Sequence, residues 1–421
     1  MSGLFAGLIF VVTLALILTR PHGIGEVWWA AAGGVAVLVF GLVSLQQLED
    51  ILETTQDALI FLIGLMAVSA VAERAGFFEW VATRAAQAGG GSALRLYVFV
   101  FMAGTLVTAF LSLDSTAIVL TPVVYVMVSR LRLPPLPFMF ACTYTANTAS
   151  LFLPVSNLTN LLFYNALGLG FLRFSLVMLL PALLAVVANA AVFFWLFRRE
   201  IRGSYGAKPG LFIPREPAFF RLAAAGVAVL LAGFFVASAL GVPIGVVSLC
   251  GGVLLVATAR WRGWVGLREV AGSVSWGLVV LVVGLFVVVR AVENAGLSEV
   301  VRAAYTAAGS WGGPAGILVV AAGTALGANL VNNVPMAVVS LGVLPEVHHP
   351  ALAYASLLGT NIGPNLTVVG SLATLIWLSI VRGRGMEITS REYLRVGMVA
   401  TPVILAAASL GLWISLGIFG P

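Results

Sequence analysis

One carboxylate stands in the middle of a long apolar run. It is Asp114, set between Leu113 and Ser115-Thr116 in the stretch FLSLDSTAIVLTPVV. An acid at such a position can take up and release a proton, and ionisable groups inside membrane segments mark ion and proton pathways. Its competing role is a helix cap, because Asp, Ser and Thr all accept hydrogen bonds from the first free amides of a helix. Three further polar clusters interrupt apolar stretches. The first holds Asn329, Asn332 and Asn333 ahead of Pro335, and the second runs Thr143, Thr145, Asn147, Thr148, Ser150, Pro154, Ser156, Asn157, Thr159 and Asn160. The last runs Gly359, Thr360, Asn361, Gly363-Pro364, Asn365, Thr367 and Ser371.

An unpaired polar group in hydrocarbon costs several kcal/mol, so these clusters are where binding chemistry is to be sought. Pro154 and Gly363-Pro364 should unwind their helices, since proline removes an amide donor and obstructs the preceding turn. Unwound segments free backbone amides and carbonyls for a solute. Asp114 is the expected proton carrier. The expected substrate contacts are Ser115, Thr116, Asn147, Thr148, Ser150, Ser156, Asn157, Asn332, Asn333, Asn361, Asn365, Thr367 and Ser371. With one acid, no deeply placed cation and many neutral donors and acceptors, such a site suits a small hydroxylated neutral solute or a cation.

The elements that must position these residues are membrane helices. The 421-residue chain is 61% hydrophobic and 9% charged, with a mean hydropathy of +1.09, far beyond what a soluble domain needs. Apolar spans are expected near 3–19, 28–44, 57–73, 173–197, 218–240, 243–259, 273–291 and 393–418. Longer segments at 94–130, 136–168, 313–345 and 350–380 complete the series. Asp114 is then the only acidic residue well inside a span. The N-terminal run lacks a basic start and a cleavage site, and reads as a retained span. Cys142 and Cys250 read as small buried hydrophobes without metal spacing, and His348-His349 as a solvated loop pair. Neither a cofactor nor a resident metal is expected. The net charge of +6 resides in loops and implies no nucleic-acid partner.

The chain repeats itself. Ala70 to Gly76 with Glu79 matches Arg290 to Gly296 with Glu299 at an offset of 220, and Val155 to Leu161 matches Val369 to Leu375 at 214. If 94–132 and 313–345 are re-entrant hairpins, and 136–168 and 350–380 are broken helices, each half crosses five times. An odd count inverts the second half relative to the first. The expected fold is therefore an all-α polytopic membrane protein of two inverted repeats. They span 1–198 and 218–421, joined by a cytoplasmic linker at 199–217. With both termini outside, Arg74, Arg84, Arg130, Arg198, Arg260 and Arg382 fall inside, and only Arg173, Arg290 and Arg302 outside, as the positive-inside rule requires.

These clusters carry a resemblance. Gly359 to Pro364 followed by Val369-Gly370-Ser371-Leu372-Ala373-Thr374-Leu375-Ile376-Trp377-Leu378 resembles the GxxxGP and GSLATLLWL signature of the ArsB arsenite efflux permeases, in the ion-transporter superfamily. Thr148 to Leu151 with Val155 to Leu158, Gly168 to Phe171, and Gly76 to Trp80 add further matches. The resemblance implies export of As(OH)3 or Sb(OH)3 across the inner membrane against inward proton movement, with elevator-like motion. For some members it also implies a soluble arsenite-stimulated ATPase as partner, for which the basic loops would be the docking surface. The chain departs from relatives that carry NDGAA at the first hairpin, since only Asp114 remains. It has Asn147, Asn361 and Asn365 where some carry Asp, Asp and Lys.

A sodium/proton antiporter, with Asp114, Ser115 and Thr116 as cation ligands, and a silicic acid or borate exporter are the alternatives. An enzyme is not expected: no HExxH, nucleophile elbow or phosphate loop is present, and Gly89-Gly90-Gly91-Ser92 lacks the P-loop lysine.

Overall fold

The computed structural model describes residues 2–19, 21–168, 170–206, 213–296, 298–347 and 350–420; His348 and His349 lie outside them. The regular structure of the described residues is helical, with short turns and connections between the helices and one antiparallel bridge between Ser92 and Ser204. In the first half they form α1 (Ser2–Thr19), α2 (Glu26–Val39), α3 (Leu45–Arg74), α4 (Phe77–Gly89) and α5 (Ala93–Phe110). A π-helical stretch (Ser115–Leu120) then leads into α6 (Thr121–Arg130), followed by α7 (Leu136–Ala149), α8 (Leu158–Ala166) and α9 (Phe171–Leu196). The second half holds α10 (Pro217–Ala239), α11 (Ile244–Trp261), α12 (Leu267–Ser273), α13 (Trp276–Asn294), α14 (Ser298–Ser310) and α15 (Gly313–Val331). It ends with α16 (Asn333–Val347), α17 (Pro350–Ile362), α18 (Leu372–Gly383) and α19 (Ser390–Phe419).

Among the described residues eight helical segments, α12 and α13 counted as one, are long and apolar enough to cross a membrane. Their outward faces carry large apolar side chains such as Val98, Val187, Val229 and Leu254, a surface that suits lipid rather than water. Cys142 is buried as expected, but Cys250 is exposed on α11, so it belongs to this outer surface rather than to the core.

The order of elements in one half recurs in the other. The starts of α2 and α11 are 218 positions apart, those of α5 and α15 220, and those of α7 and α17 214. Packing recurs too: α2 lies along α13, α3 along α11, and α9 along α19. The first two seams depend on missing side chains. A Cβ on Gly284 would stand 2.6 Å from the Ala30 carbonyl oxygen, and one on Gly252 2.8 Å from that of Gly64. Gly64 and Gly284 are equivalent at the 220 offset, so one close approach is built twice.

The third helix corrects the hydropathy reading. It begins at Leu45, where Ser44 Oγ accepts from the Gln47 amide and Gln47 Oε1 accepts from the Ser44 amide, a capping box that starts the helix ahead of its apolar part. The 30-residue helix is about 45 Å long against about 30 Å of hydrocarbon. Asp57 is thus inside a helix, half-buried, where it accepts the Gly245 amide at the start of α11 at 2.9 Å. Asp57 is thus a second partly buried acid on a helix of membrane-spanning length.

Candidate functional site

Two helices are interrupted, between α7 and α8 and between α17 and α18, and the breaks have local causes. The helix α7 ends before Pro154 and resumes at α8, where Asn157 caps by accepting the Thr159 amide at 3.3 Å. The helix α17 ends before Pro364 and resumes at α18, where Ser371 caps by accepting the Thr374 amide at 3.2 Å. The hairpin tips turn at Ser112 (φ 141°) and Asn332 (φ 75°). Both are in the positive-φ region that side chains resist, and they are 220 positions apart.

Asp114 does not cap a helix. Ser112 does so instead, its Oγ accepting the Ser115 amide at 3.3 Å. The Asp114 carboxylate makes no hydrogen bond among the described residues and lines a cavity of about 270 Å³. Walls come from Met66, Ser69 and Glu73 of α3, Ser112 and Ser115 of the hairpin tip, Asn157 at the first break, Ser273 and Ser275 near α12, and Leu372 and Ile376 of α18. Ser115 Oγ shares a hydrogen bond with Ser69 Oγ at 2.8 Å, and Thr116 Oγ1 one with Thr108 Oγ1 at 2.8 Å. The following π-helical turns widen the ladder here, as such turns commonly do at working sites. Among the described residues no lysine or arginine lines this cavity.

Of the residues expected to bind substrate, Ser115 and Asn157 line the cavity together with Asp114. Thr116 is buried behind the tip, and Ser156 ties the break to α5 through the Ala109 carbonyl at 2.8 Å. Asn147, Thr148, Asn361, Asn365 and Ser371 are buried in a network that joins the halves. Asn147 Nδ2 donates to Asn365 Oδ1 at 3.0 Å and to Thr374 Oγ1 at 3.2 Å. Asn365 Nδ2 donates to Thr148 Oγ1 at 3.0 Å. Asn361 Nδ2 donates to Asn160 Oδ1 at 2.6 Å, while Asn361 Oδ1 accepts from Asn157 Nδ2 at 3.0 Å. Ser371 Oγ reaches Asn147 Oδ1 at 3.5 Å, and Ser150 serves through its carbonyl, which accepts from Asn160 Nδ2 at 2.6 Å.

Asn332, Asn333 and Thr367 lie elsewhere. They lock the second hairpin to the second break: Asn332 Nδ2 to the Val369 carbonyl at 3.2 Å, the Asn333 amide to the Gly370 carbonyl at 2.9 Å, and Thr367 Oγ1 to Asn329 Oδ1 at 2.7 Å. Ser69 and Glu73 also line the cavity although they lie outside the polar clusters. Their spacing of four on one helix, which stacks them on a single face, was the available signal.

The sequence profile of the ArsB family, described as arsenical pump membrane protein, matches residues 5–416. The chain belongs to the ArsB family. It is 31% identical to an arsenical pump membrane protein of Escherichia coli, over 98% of this chain and all of that one. It is 32% identical to one of Yersinia enterocolitica at the same coverage. Its fold is similar to that of the YdaH transporter of Alcanivorax borkumensis, with a TM-score of 0.56 at 15% identity, covering 90% of this chain and 91% of that one.

This ArsB chain has a second cavity, of about 290 Å³, lined by Ile51, Thr54 and Thr55 of α3, Leu162 of α8, Phe286, Arg290 and Glu293 of α13, and Gly342 of α16. Phe286, Arg290 and Glu293 are equivalent at the 220 offset to Met66, Ala70 and Glu73, and Leu162 is equivalent at 214 to Ile376. The two cavities are thus built from the same positions of the two halves. They differ in charge: Arg290 pairs with Glu293 at 3.1 Å, whereas Ala70 offers Glu73 no such partner. Arg74 instead pairs with Glu269 of α12 at 2.9 Å.

Proposed function

We propose that this transporter exports arsenite and antimonite, as neutral As(OH)3 and Sb(OH)3, from the cytoplasm in exchange for protons. The observation that carries this reading is the cavity at Asp114. It presents serine hydroxyls and an asparagine amide to a hydroxylated solute, one carboxylate free to carry a proton, and no cation to hold an anion. A neutral trihydroxy solute needs donors and acceptors, not countercharge. The names of the relatives, arsenical pump membrane proteins, agree with this cargo.

In this reading residues 1–198 and 218–421 are inverted repeats joined by a cytoplasmic linker at 199–217, and both termini are outside. The Asp114 cavity lies at the Arg74 end of α3 and so opens inward, while the Arg290–Glu293 cavity opens outward. The network around Asn147 and Asn361 binds the two broken helices to each other, and Ser156, Asn332 and Asn333 bind the hairpins to them. These elements move together against α1–α3 and α10–α13, an elevator-like alternation of access.

The test is As(III) retention in cells lacking their own exporter. Wild-type protein lowers retention, and Asp114→Asn at equal membrane abundance does not. Full efflux by Asp114→Asn removes Asp114 as the carrier. Sodium-dependent proton movement in proteoliposomes, indifferent to arsenite, replaces the cargo.

A further inference from the structure

We infer that Glu73 is a second proton-handling residue, which passes the proton between Asp114 and the cytoplasm at the inner mouth of the cavity. The inference rests on the proton-coupled reading above and deepens it.

Four observations on geometry support it. Glu73 lines the same cavity as Asp114. It stands one helical turn beyond Ser69 on α3, and Ser69 Oγ is hydrogen-bonded to Ser115 Oγ at 2.8 Å, next to Asp114 in the chain. Glu73 is thus the next acid along the wall toward the end of α3. Its carboxylate is not consumed by an ion pair among the described residues, since the Arg74 guanidinium is engaged by Glu269 at 2.9 Å. Arg74 and Glu79 of α4 are the charges that act on it through space, with Glu269 beyond Arg74, so it faces both signs and is committed to neither.

The equivalent cavity supplies the contrast. Glu293 occupies the matching position there but is held by Arg290 at 3.1 Å, and that cavity has no counterpart of Asp114, because position 334 is valine. The half of the molecule that carries the proton acceptor is the half whose wall glutamate is unpaired. A second carboxylate on the wall of the cavity that holds the proton-carrying acid, placed toward its mouth, offers the proton an intermediate stop on the way to solvent. The proton that Asp114 releases is taken by a Glu73 oxygen and given to cytoplasmic water, with no change in net charge over the cycle.

The test uses the full chain in proteoliposomes with arsenite as probe. Two fluxes are measured, As(III) accumulation driven by an imposed pH gradient and As(III) exchange at equal pH, and their ratio is compared. Glu73→Gln should lower the ratio by roughly 10- to 100-fold, up to what a positioned proton-transfer group contributes, and Glu73→Asp should restore most of it. An unchanged ratio in Glu73→Gln overturns the inference even if both fluxes fall, because a purely structural role lowers both alike. If the wild-type ratio itself ignores the gradient, proton coupling fails and this inference with it. If Asp114→Asn abolishes gradient-driven accumulation while Glu73→Gln leaves the ratio intact, only the role of Glu73 is lost.

Discussion

Asn361 donates its side-chain amide to Asn160 Oδ1 at 2.6 Å across 201 positions of sequence. Its equivalent Asn147 donates to Thr374, the equivalent of Asn160, at 3.2 Å. Each half thus places an asparagine at the end of its first half-helix and satisfies it on the first turn of the other half's second half-helix.

Truncating Asn361 should therefore damage both halves. Asn361→Ala leaves Asn160 Oδ1 without its donor and Asn157 Nδ2 without its acceptor, and takes one acceptor from Thr159. Each buried group left unsatisfied costs about 1–3 kcal/mol. Thermal unfolding of the purified protein in detergent should show a loss of at least about 2 kcal/mol, with transport lost. Asn361→Asp retains the accepting oxygens and should be milder. Equal stability of Asn361→Ala and wild type would remove the network from the account of how the breaks are held.

The Ser69–Ser115 bond joins α3 to the hairpin tip. Ser69→Ala should shift the balance between inward- and outward-open forms by about 0.5–1.5 kcal/mol, the net worth of such a bond, or roughly two- to tenfold in the ratio. Thiol labelling of a cysteine placed at Ser273, on the cavity wall, in a background without Cys142 and Cys250, reads the ratio. Labelling identical with and without Ser69 would show that the bond does not bias access.

Glycines of one helix type should diverge sharply. Gly284→Ala forces a Cβ to 2.6 Å from the Ala30 carbonyl oxygen and should cost about 1–3 kcal/mol or more as overpacking. Gly272→Ala, in α12 with nothing within 4 Å of the new atom, should stabilise by about 0.5–1 kcal/mol. Unfolding midpoints in detergent decide between them, and a tolerated Gly284→Ala would mean that the α2–α13 seam can part.

Sidedness is testable with single cysteines. A cysteine at the exposed position Arg202 should react with a membrane-impermeant thiol reagent only in everted vesicles, and one at the exposed Trp311 only in intact cells. The reverse pattern would turn the proposed topology over.

Much of the architecture was legible because its causes are local. Pro154 and Gly363-Pro364 announce the breaks, and the polar runs that follow them announce the caps at Asn157 and Ser371. The start of α3 was not legible from hydropathy, because its first turns are the polar Gln46-Gln47-Leu48-Glu49-Asp50. Asp57 was hidden with it. The division of the polar residues between cavity and network was also illegible. Asn157 and Asn361 look alike in sequence, yet one lines the cavity and the other is enclosed, a difference set by contacts some 200 positions apart. Glu73, beside Arg74 at a helix end, reads as an ordinary solvated charge until the cavity behind it is seen.

The crossed asparagines carry a consequence for inheritance. Because each break is satisfied partly from the other half, a substitution at 147 is felt at 374, and one at 361 is felt at 160. A change that either half can tolerate at these positions is therefore limited by the side chain that the other half presents to it.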